Sequence, residues 1–364
     1  MSKIKVVSLF SGGGGLDLGF ISTGFDVVWA IDNEKNAAAT YARNIGQHIV
    51  CLDINDLDTT IIPHCDIVIG GPPCQSFSLA GNRKTDDLRG KLVWKYLEII
   101  ETLKPKAFLF ENVIGLLSAK NCDGDKIFSI IKKDFEDLGY TVSAEVVDAS
   151  NFGIPQRRKR VIIVGSIYKA PFVFPSPTHG ELSANKTPFV NVFDALDDLP
   201  SAVVDTNAFV AYTKPAATEY QRMMRVENKG VTEHFIPTMS ELDKYIISHV
   251  RPGGNYMDVP LDVPSERIRR LQKSGGHTTC YGRMREDAPS YTINTYFNRP
   301  NVGCNIHYSE NRLITVREAL RLQSFPDSFV IVSSSKQGRN LIVGNAVPPK
   351  LAAVLANEVK QQFF

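Results

Sequence analysis

Short apolar runs alternate with amphipathic stretches through the first half of this chain. Ile4–Phe10, Asp26–Ile31, His48–Leu52, Asp66–Gly70 and Ala107–Phe110 are rich in Val and Ile and too short for core helices, which predicts buried strands. Between them, Glu34–Asn44, Leu92–Leu103 and Lys126–Leu138 space their apolar residues as helices do, and Thr141–Val147 and Arg160–Gly165 predict two further strands. Strand and helix alternating in this way predict an α/β fold: a doubly wound, mostly parallel sheet with helices on both faces.

Near Pro171 the pattern changes. From there to about Arg317 the chain is rich in Pro, Thr, Asn and Asp and keeps no sustained period, which predicts a second, smaller domain of loops and small strands. Order returns with helical patterns at Arg317–Gln323 and Leu351–Gln362. The expected division is 1–171, 172–316 and 317–364, the last segment returning to the first.

Composition adds bounds. The chain has 364 residues, 43% hydrophobic and 22% charged, as an ordinary soluble globular protein has. No apolar run approaches a membrane span and the opening MSKIKVVSLF lacks a signal-peptide layout, so the expected compartment is the cytoplasm, with no membrane partner. A net charge of +2 says little about nucleic acid. Basic clusters at Gln156–Arg160 and Arg267–Lys273 would, on charge alone, be solvated surface. The six cysteines form no C-x-x-C pair, so no metal site is expected.

Two segments carry candidate chemistry. Ser11-Gly12-Gly13-Gly14-Gly15 sits between a strand and a helix, where glycines let the backbone approach a ligand and accept positive φ. Asp32 and Asp53 end the next two strands, and Asp32 stands where an acid binds ribose hydroxyls. Together these describe a nucleoside-shaped crevice. The dinucleotide spacing G-x-G-x-x-G fails, since Asp17 stands where the third glycine would be counted from Gly14, so an adenosyl group without pyrophosphate fits better than a nicotinamide cofactor. The second segment is Gly70-Gly71-Pro72-Pro73-Cys74, in which two prolines stiffen the turn that carries Cys74 to the same sheet edge. Most cysteines are buried apolar filler. A thiolate beside Glu111 and the arginines of 156–160 would instead suit a heteroaromatic ring that must be made electrophilic, and cytosine is such a ring.

These motifs resemble those of the cytosine-C5 DNA methyltransferase family, of the bacterial or phage modification type, and the likeness covers nearly the whole chain. Phe10–Gly15 looks like the cofactor motif, Pro72-Pro73-Cys74-Gln75 the nucleophile motif, Glu111-Asn112-Val113 the catalytic acid motif and Gln156-Arg157-Arg158-Lys159-Arg160 the Q-x-R-x-R motif. Arg317–Pro326 and Gly344–Pro349 match the last two. The resemblance implies S-adenosylmethionine as cofactor, held by Phe10, Gly12, Gly14, Gly15, Leu16, Asp32, Asn33, Asp53, Ile54, Gly71, Pro73, Asn345 and Val347. Asn33 departs from members with tryptophan at that position. It implies Cys74 as nucleophile, Glu111 as the acid at N3, Arg158 and Arg160 anchoring the cytosine O2 side and the cysteine loop, and 76–91 as a lid. Region 172–316 would be the target recognition domain, with Arg283, Arg285 and Arg299 as candidate DNA contacts, and 317–364 would complete the cofactor site.

The implied partners are double-stranded DNA and a cognate restriction endonuclease, and the chain is expected to act as a monomer. Three alternatives stay open: a tRNA cytosine methyltransferase on the same scaffold, a silent DNA-binding regulator and a nicotinamide oxidoreductase. The Cys-Phe-Thr signature of the tRNA branch is absent, since Cys280 precedes Tyr281 and Gly282, and intact Cys74 and Glu111 speak against decay.

Overall fold

The computed structural model describes residues 3–73, 91–121, 124–205 and 208–364, which fall into two compact units. The first comprises 1–148, 159–176 and 349–364, and the second 149–158 and 177–348.

In the first unit, seven strands form one sheet: β1 (Lys5–Leu9), β2 (Asp26–Asp32), β3 (Ile49–Cys51), β4 (Ile67–Gly70), β5 (Ala107–Val113), β6 (Thr141–Asp148) and β7 (Lys159–Ser166). Their order is β3-β2-β1-β4-β5-β7-β6. All pairings are parallel except those of β7, which runs antiparallel to both β5 and β6. β1, β4 and β5 bury nearly every side chain, as strands covered on both faces must.

Helices α1 (Gly15–Ser22), α2 (Lys35–Asn44), α3 (Lys91–Leu103) and α4 (Ile127–Asp137) make the crossovers and cover. α4 turns Ile127, Ile131 and Phe135 inward at helical spacing, and Phe135 stacks on Phe108 of β5 at 4.1 Å between ring centres. The C-terminal helix, Pro349–Phe363, packs against α1. The approach is close at Gly19, where a Cβ would lie 2.3 Å from that of Ala352.

From β1 the chain winds outward through β2 to β3, whereas from β4 it winds the other way through β5. The winding therefore reverses between β1 and β4, and in open α/β sheets ligands bind outside the strand ends at such a point. The glycine turn leaves β1 there and the Gly71-Pro72-Pro73 turn leaves β4 there. Cys74, and all but the last residue of the stretch expected as a lid, lie outside the described residues.

The second unit departs from the expectation of loops and small strands. It holds helices at Val192–Leu196, Glu219–Arg225, Glu241–His249, Glu266–Ser274, Val316–Leu322 and Lys336–Asn345, and one two-stranded ladder of Val210–Ala211 with Gly230–Val231. The helices are short and start on side-chain caps, with full capping boxes at Asn191/Asp194, Thr218/Gln221 and Thr315/Glu318. Helices this short seldom establish a readable period, which is why the sequence pattern found only Val316–Leu322 among them, expected at Arg317–Gln323.

The stretch 317–348, expected to return to the sheet, clusters here, because Val316–Leu322 is bound to this unit by buried arginines. Arg321 is fully buried and pairs with Asp327 at 2.6 Å and Asp198 at 2.9 Å. Arg317 donates to the carbonyls of Thr232 and Phe329 at 2.9 and 2.6 Å. Arg312 grips Glu318 through two bonds of 2.8 and 2.7 Å. Burial opposes ionisation of Glu318, yet the charges of Arg312 and His307 hold its carboxyl well below the usual carboxylate range.

Removing one partner of such a set strands the others without water. Arg321→Leu should lower the stability of the second unit by roughly 3–5 kcal/mol, because it leaves Asp327 buried without its salt-bridge partner, while Asp198 keeps Arg225 at 2.6 Å. Urea unfolding followed by the change in tryptophan-independent circular dichroism checks this, and a loss below about 1 kcal/mol would show that the pairs are not coupled to folding.

Candidate active site

A cavity of about 170 Å³ opens at the winding reversal, bounded by Phe10, Asp32, Asn33, Asp53, Ile54 and Pro73. All six were expected from the sequence. Ile31, Leu52, Asn55 and Leu92 complete the wall and were not singled out, being apolar or ordinary by type.

The turn that shapes this cavity is strained and tied. Phe10 adopts φ 55°, a left-handed conformation that few non-glycine residues take without functional cause. Gly14 follows at φ 89°, and a Cβ there would meet Ile45 at 2.1 Å and Tyr41 at 3.0 Å, so only glycine fits. Gly15 and Leu16 open α1, with Leu16 buried. The Gly12 amide donates to Asp32 Oδ2 at 2.8 Å and the Glu34 amide to Oδ1 at 2.9 Å. Burial raises the Asp32 carboxyl above its ordinary value while the two amides pull it back. Each oxygen keeps a lone pair for a further donor, as a ribose hydroxyl requires.

Asp53 does not end β3 but caps the short 3₁₀ turn Ile54–Asp56, its Oδ1 taking the Asn55 amide at 2.9 Å.

Across the reversal, the end of β5 grips the end of β4. Glu111 is 8% exposed, and its Oε1 lies 2.9 Å from Arg160 Nε on β7. Its other oxygen faces Gly71, where a Cβ would sit 2.9 Å from Oε2, so Gly71 allows the carboxylate to reach the turn. Asn112, 3% exposed, donates from Nδ2 to the Pro72 carbonyl at 2.9 Å and accepts the Val113 amide on Oδ1. The sequence reading passed over Asn112, although its place directly after Glu111 was the available signal. The acid and the turn that leads to Cys74 are thus fixed by two consecutive residues of one strand.

Several expected residues belong to the second unit. Arg158 belongs to the second unit and is 1% exposed, with Nη1 donating to the Ile293 carbonyl and Nη2 to the Gly344 carbonyl, each at 3.0 Å. Both terminal nitrogens of Arg158 thus bond backbone of its own unit, whereas Arg160 pairs with Glu111. Gln156 does similar work, accepting the Ile293 amide at 2.9 Å. Asn345 ends the helix Lys336–Asn345 and is exposed, while Val347 is buried; both are in the second unit.

Arg283 is likewise structural. It is 5% exposed and donates to the carbonyls of Val250, Ile247, His307 and Glu310 and to the Asn311 side chain. Arg285 is exposed and paired in two bonds with Asp287, and Arg299 lies over the exposed Tyr296 ring at 4.9 Å. Among the described cysteines, burial pushes the Cys65 thiol up to about 12 and that of Cys304 up to about 11, so neither can serve as a thiolate nucleophile.

A sequence profile of the C-5 cytosine-specific DNA methylase family matches residues 4–361. The chain belongs to that family. It is 32% identical to the Type II methyltransferase M.AgeI of Thalassovita gelatinovora, covering 98% of this chain and 99% of the relative. It is 36% identical to M.NgoFVII of Neisseria gonorrhoeae, covering 98% and 87%. Among solved structures, a prophage-encoded protein of E. coli assigned as a DNA modification methyltransferase superposes with a TM-score of 0.76 at 24% identity over 99% of both chains. The S. pombe Dnmt2 methyltransferase superposes at 0.63 and 19% identity over the whole of both, a likeness of fold. The protein is thus a DNA cytosine-5 methyltransferase acting on DNA with a methyl donor.

Because Asn112 is what holds Pro72, Asn112→Ala should lower kcat by about a hundredfold, the loss expected when a reacting group is displaced by about 1 Å. Steady-state methylation assays check this, and a kcat within threefold of the parent would remove Asn112 from the positioning of the turn.

Proposed function

We propose that this enzyme takes its methyl group from S-adenosylmethionine and places it on C5 of one cytosine within a specific double-stranded site. On this reading the reaction passes through a covalent bond between Cys74 Sγ and cytosine C6. The observation that carries the reading is the convergence of a strained glycine turn, paired acids and the Glu111–Arg160 pair at one winding reversal, beside the diproline lead to Cys74.

The cavity suits the donor. Phe10, Asp32, Asp53 and Ile54 line it together, so that Phe10 would pack on adenine, Asp32 would accept the ribose hydroxyls and Asp53 the adenine amino group. When bound, the sulfonium supplies an electrophilic methyl group. The target base must leave the duplex to reach such a site, at a cost of a few kcal/mol of stacking and pairing.

Cys74 then attacks C6 as a thiolate, while Glu111 holds a proton at N3 so that the ring accepts the electron pair. Arg160, fixed to Glu111, keeps the carboxyl group oriented and supplies a donor on the O2 side. Addition at C6 makes C5 nucleophilic, and C5 takes the methyl group. Water removes the C5 proton, the C5–C6 double bond re-forms and Cys74 leaves with its electron pair. Covalent catalysis thereby divides one difficult substitution into two easier steps.

The second unit serves as the target recognition domain, its exposed cations gripping phosphate and its loops meeting base edges in the major groove. Buried Arg283 takes no part in that contact; Arg299, stacked on exposed Tyr296, remains available for it. The Type II names of the relatives support a setting in which a restriction endonuclease cuts the same site.

Three measurements test the proposal. Bisulfite sequencing of DNA from cells expressing the protein should show one methylated sequence context; methylated tRNA with unmodified duplex DNA would overturn the choice of substrate. DNA carrying 5-fluorocytosine should trap a covalent complex, since fluorine cannot leave as the proton does, and Cys74→Ala should abolish both trapping and turnover. A Cys74→Ala variant that keeps turnover within tenfold of the parent would exclude the adduct. Glu111→Ala should lower turnover by roughly a hundredfold or more, as loss of a general acid does.

A further inference from the structure

Beneath the glycine turn lies a carboxylate that no step above uses. Asp17, in the first turn of α1, is completely buried. Its Oδ2 accepts from Ser8 Oγ of β1 at 3.0 Å and its Oδ1 from Tyr41 Oη of α2 at 2.9 Å. Because the single Tyr41 proton points to Asp17, the His48 Nε2 that lies 3.0 Å from Tyr41 Oη must be the donor in that contact. No cation pairs with Asp17 among the described residues, and the charge that acts on it is the like charge of Asp32.

Burial pushes the Asp17 carboxyl up to about 6 against the pull of Ser8 and Tyr41. The sign is therefore that of a group whose proton is held more tightly folded than unfolded. Its contribution to stability is full below the ordinary value of 3.8, where both states are protonated, and is lost as pH rises from there through about 6, so at pH 8 the ionised group works against folding. A fold gains nothing from retaining such a charge for stability alone.

What Asp17 does hold is the donor turn. Through Ser8 it fixes the strand from which the turn leaves. Through Tyr41 it fixes the ring that a Cβ at Gly14 would strike, hence the floor on which Gly14 rests. The turn above is further tied by the Ser11 hydroxyl to the Ser8 carbonyl at 3.1 Å and by the Gly12 amide to Asp32.

We propose that Asp17 is a positioning residue for the methyl donor: by accepting two hydrogen bonds beneath the glycine turn, it sets the backbone geometry and Asp32 orientation that the donor pocket requires. This rests on the reading of that pocket as the S-adenosylmethionine site. An asparagine at 17 keeps the shape and removes the charge, but it replaces one acceptor by a donor. Either Ser8 or Tyr41 must then reverse its hydroxyl, and reversal at Tyr41 also demands the other tautomer of His48.

The test is titration of the full-length protein with S-adenosylmethionine without DNA, alongside thermal unfolding at pH 8. Asp17→Asn should weaken donor binding by about tenfold or more, the scale of a charge-assisted hydrogen bond, while its unfolding midpoint stays at or above that of the parent. Tyr41→Phe removes one of the two bonds and should weaken binding about threefold or more, with the double variant less than additive. Asp17→Asn binding the donor within twofold of the parent would overturn the proposal. So would a loss of affinity that merely follows a lowered midpoint, since that is what a structural residue would give. Should Asp17→Asn fail to fold, Tyr41→Phe decides alone by the same twofold criterion. A parent protein that does not bind S-adenosylmethionine overturns the pocket assignment itself, and this inference with it.

Discussion

The reversal of winding between β1 and β4 is the constraint on which the first unit's chemistry depends. A parallel sheet whose crossovers all ran in one direction would carry its successive turns steadily away from each other. Here the turns after β1 and β4 leave neighbouring strands, paired from Val6↔Ile67 to Leu9↔Gly70, and diverge only afterwards. A crevice results without any loop having to be long. Its two walls come from segments about sixty residues apart in sequence, and the sheet hydrogen bonds hold their spacing.

Into that crevice the antiparallel strand β7 brings something a wholly parallel sheet would not. Because β7 opposes β5, with Glu111 facing Ile162 and Val113 facing Arg160, the start of β7 lies beside the end of β5. An arginine that begins one strand therefore meets an acid that ends the other, at 2.9 Å and largely shielded from water. Shielding strengthens the pair and also fixes the carboxylate's direction, which matters more to catalysis than the energy of the pair. The cost of bringing both charges out of water is borne by a sheet core so continuous that β5 buries six of its seven residues.

How much of this was legible beforehand follows from scale. The strands and crossover helices of the first unit were readable because each buries a run long enough to set a period, and their predicted limits fall within a few residues of the observed ones. The cavity-lining acids and the glycine turn were readable because their residue types are unusual at strand ends. Two things were not. The second unit is held by caps and by arginines such as Arg317 and Arg321 whose burial no hydropathy pattern signals, since charged residues are by default assigned to the surface. For the same reason Arg158 looked like a companion of Arg160: the two share a motif and a charge, and only coordinates separate a guanidinium that meets an acid from one that closes on two carbonyls.

Asp17 belongs with that second class, and it sharpens the point. Buried arginines in this protein find acids or carbonyls, so their desolvation is offset locally. The buried acid under the glycine turn finds two hydroxyls and a backbone amide but no cation among the described residues, and its raised affinity for a proton records the shortfall. Phe10 next to the cavity, held in a left-handed conformation, records a second cost in the same turn. Strain and desolvation have thus accumulated within eight residues of chain, in a unit whose sheet and helices are otherwise consistent with their sequence. Local rules broken together at one place, with global rules obeyed around it, mark the turn as shaped for a ligand rather than for the fold.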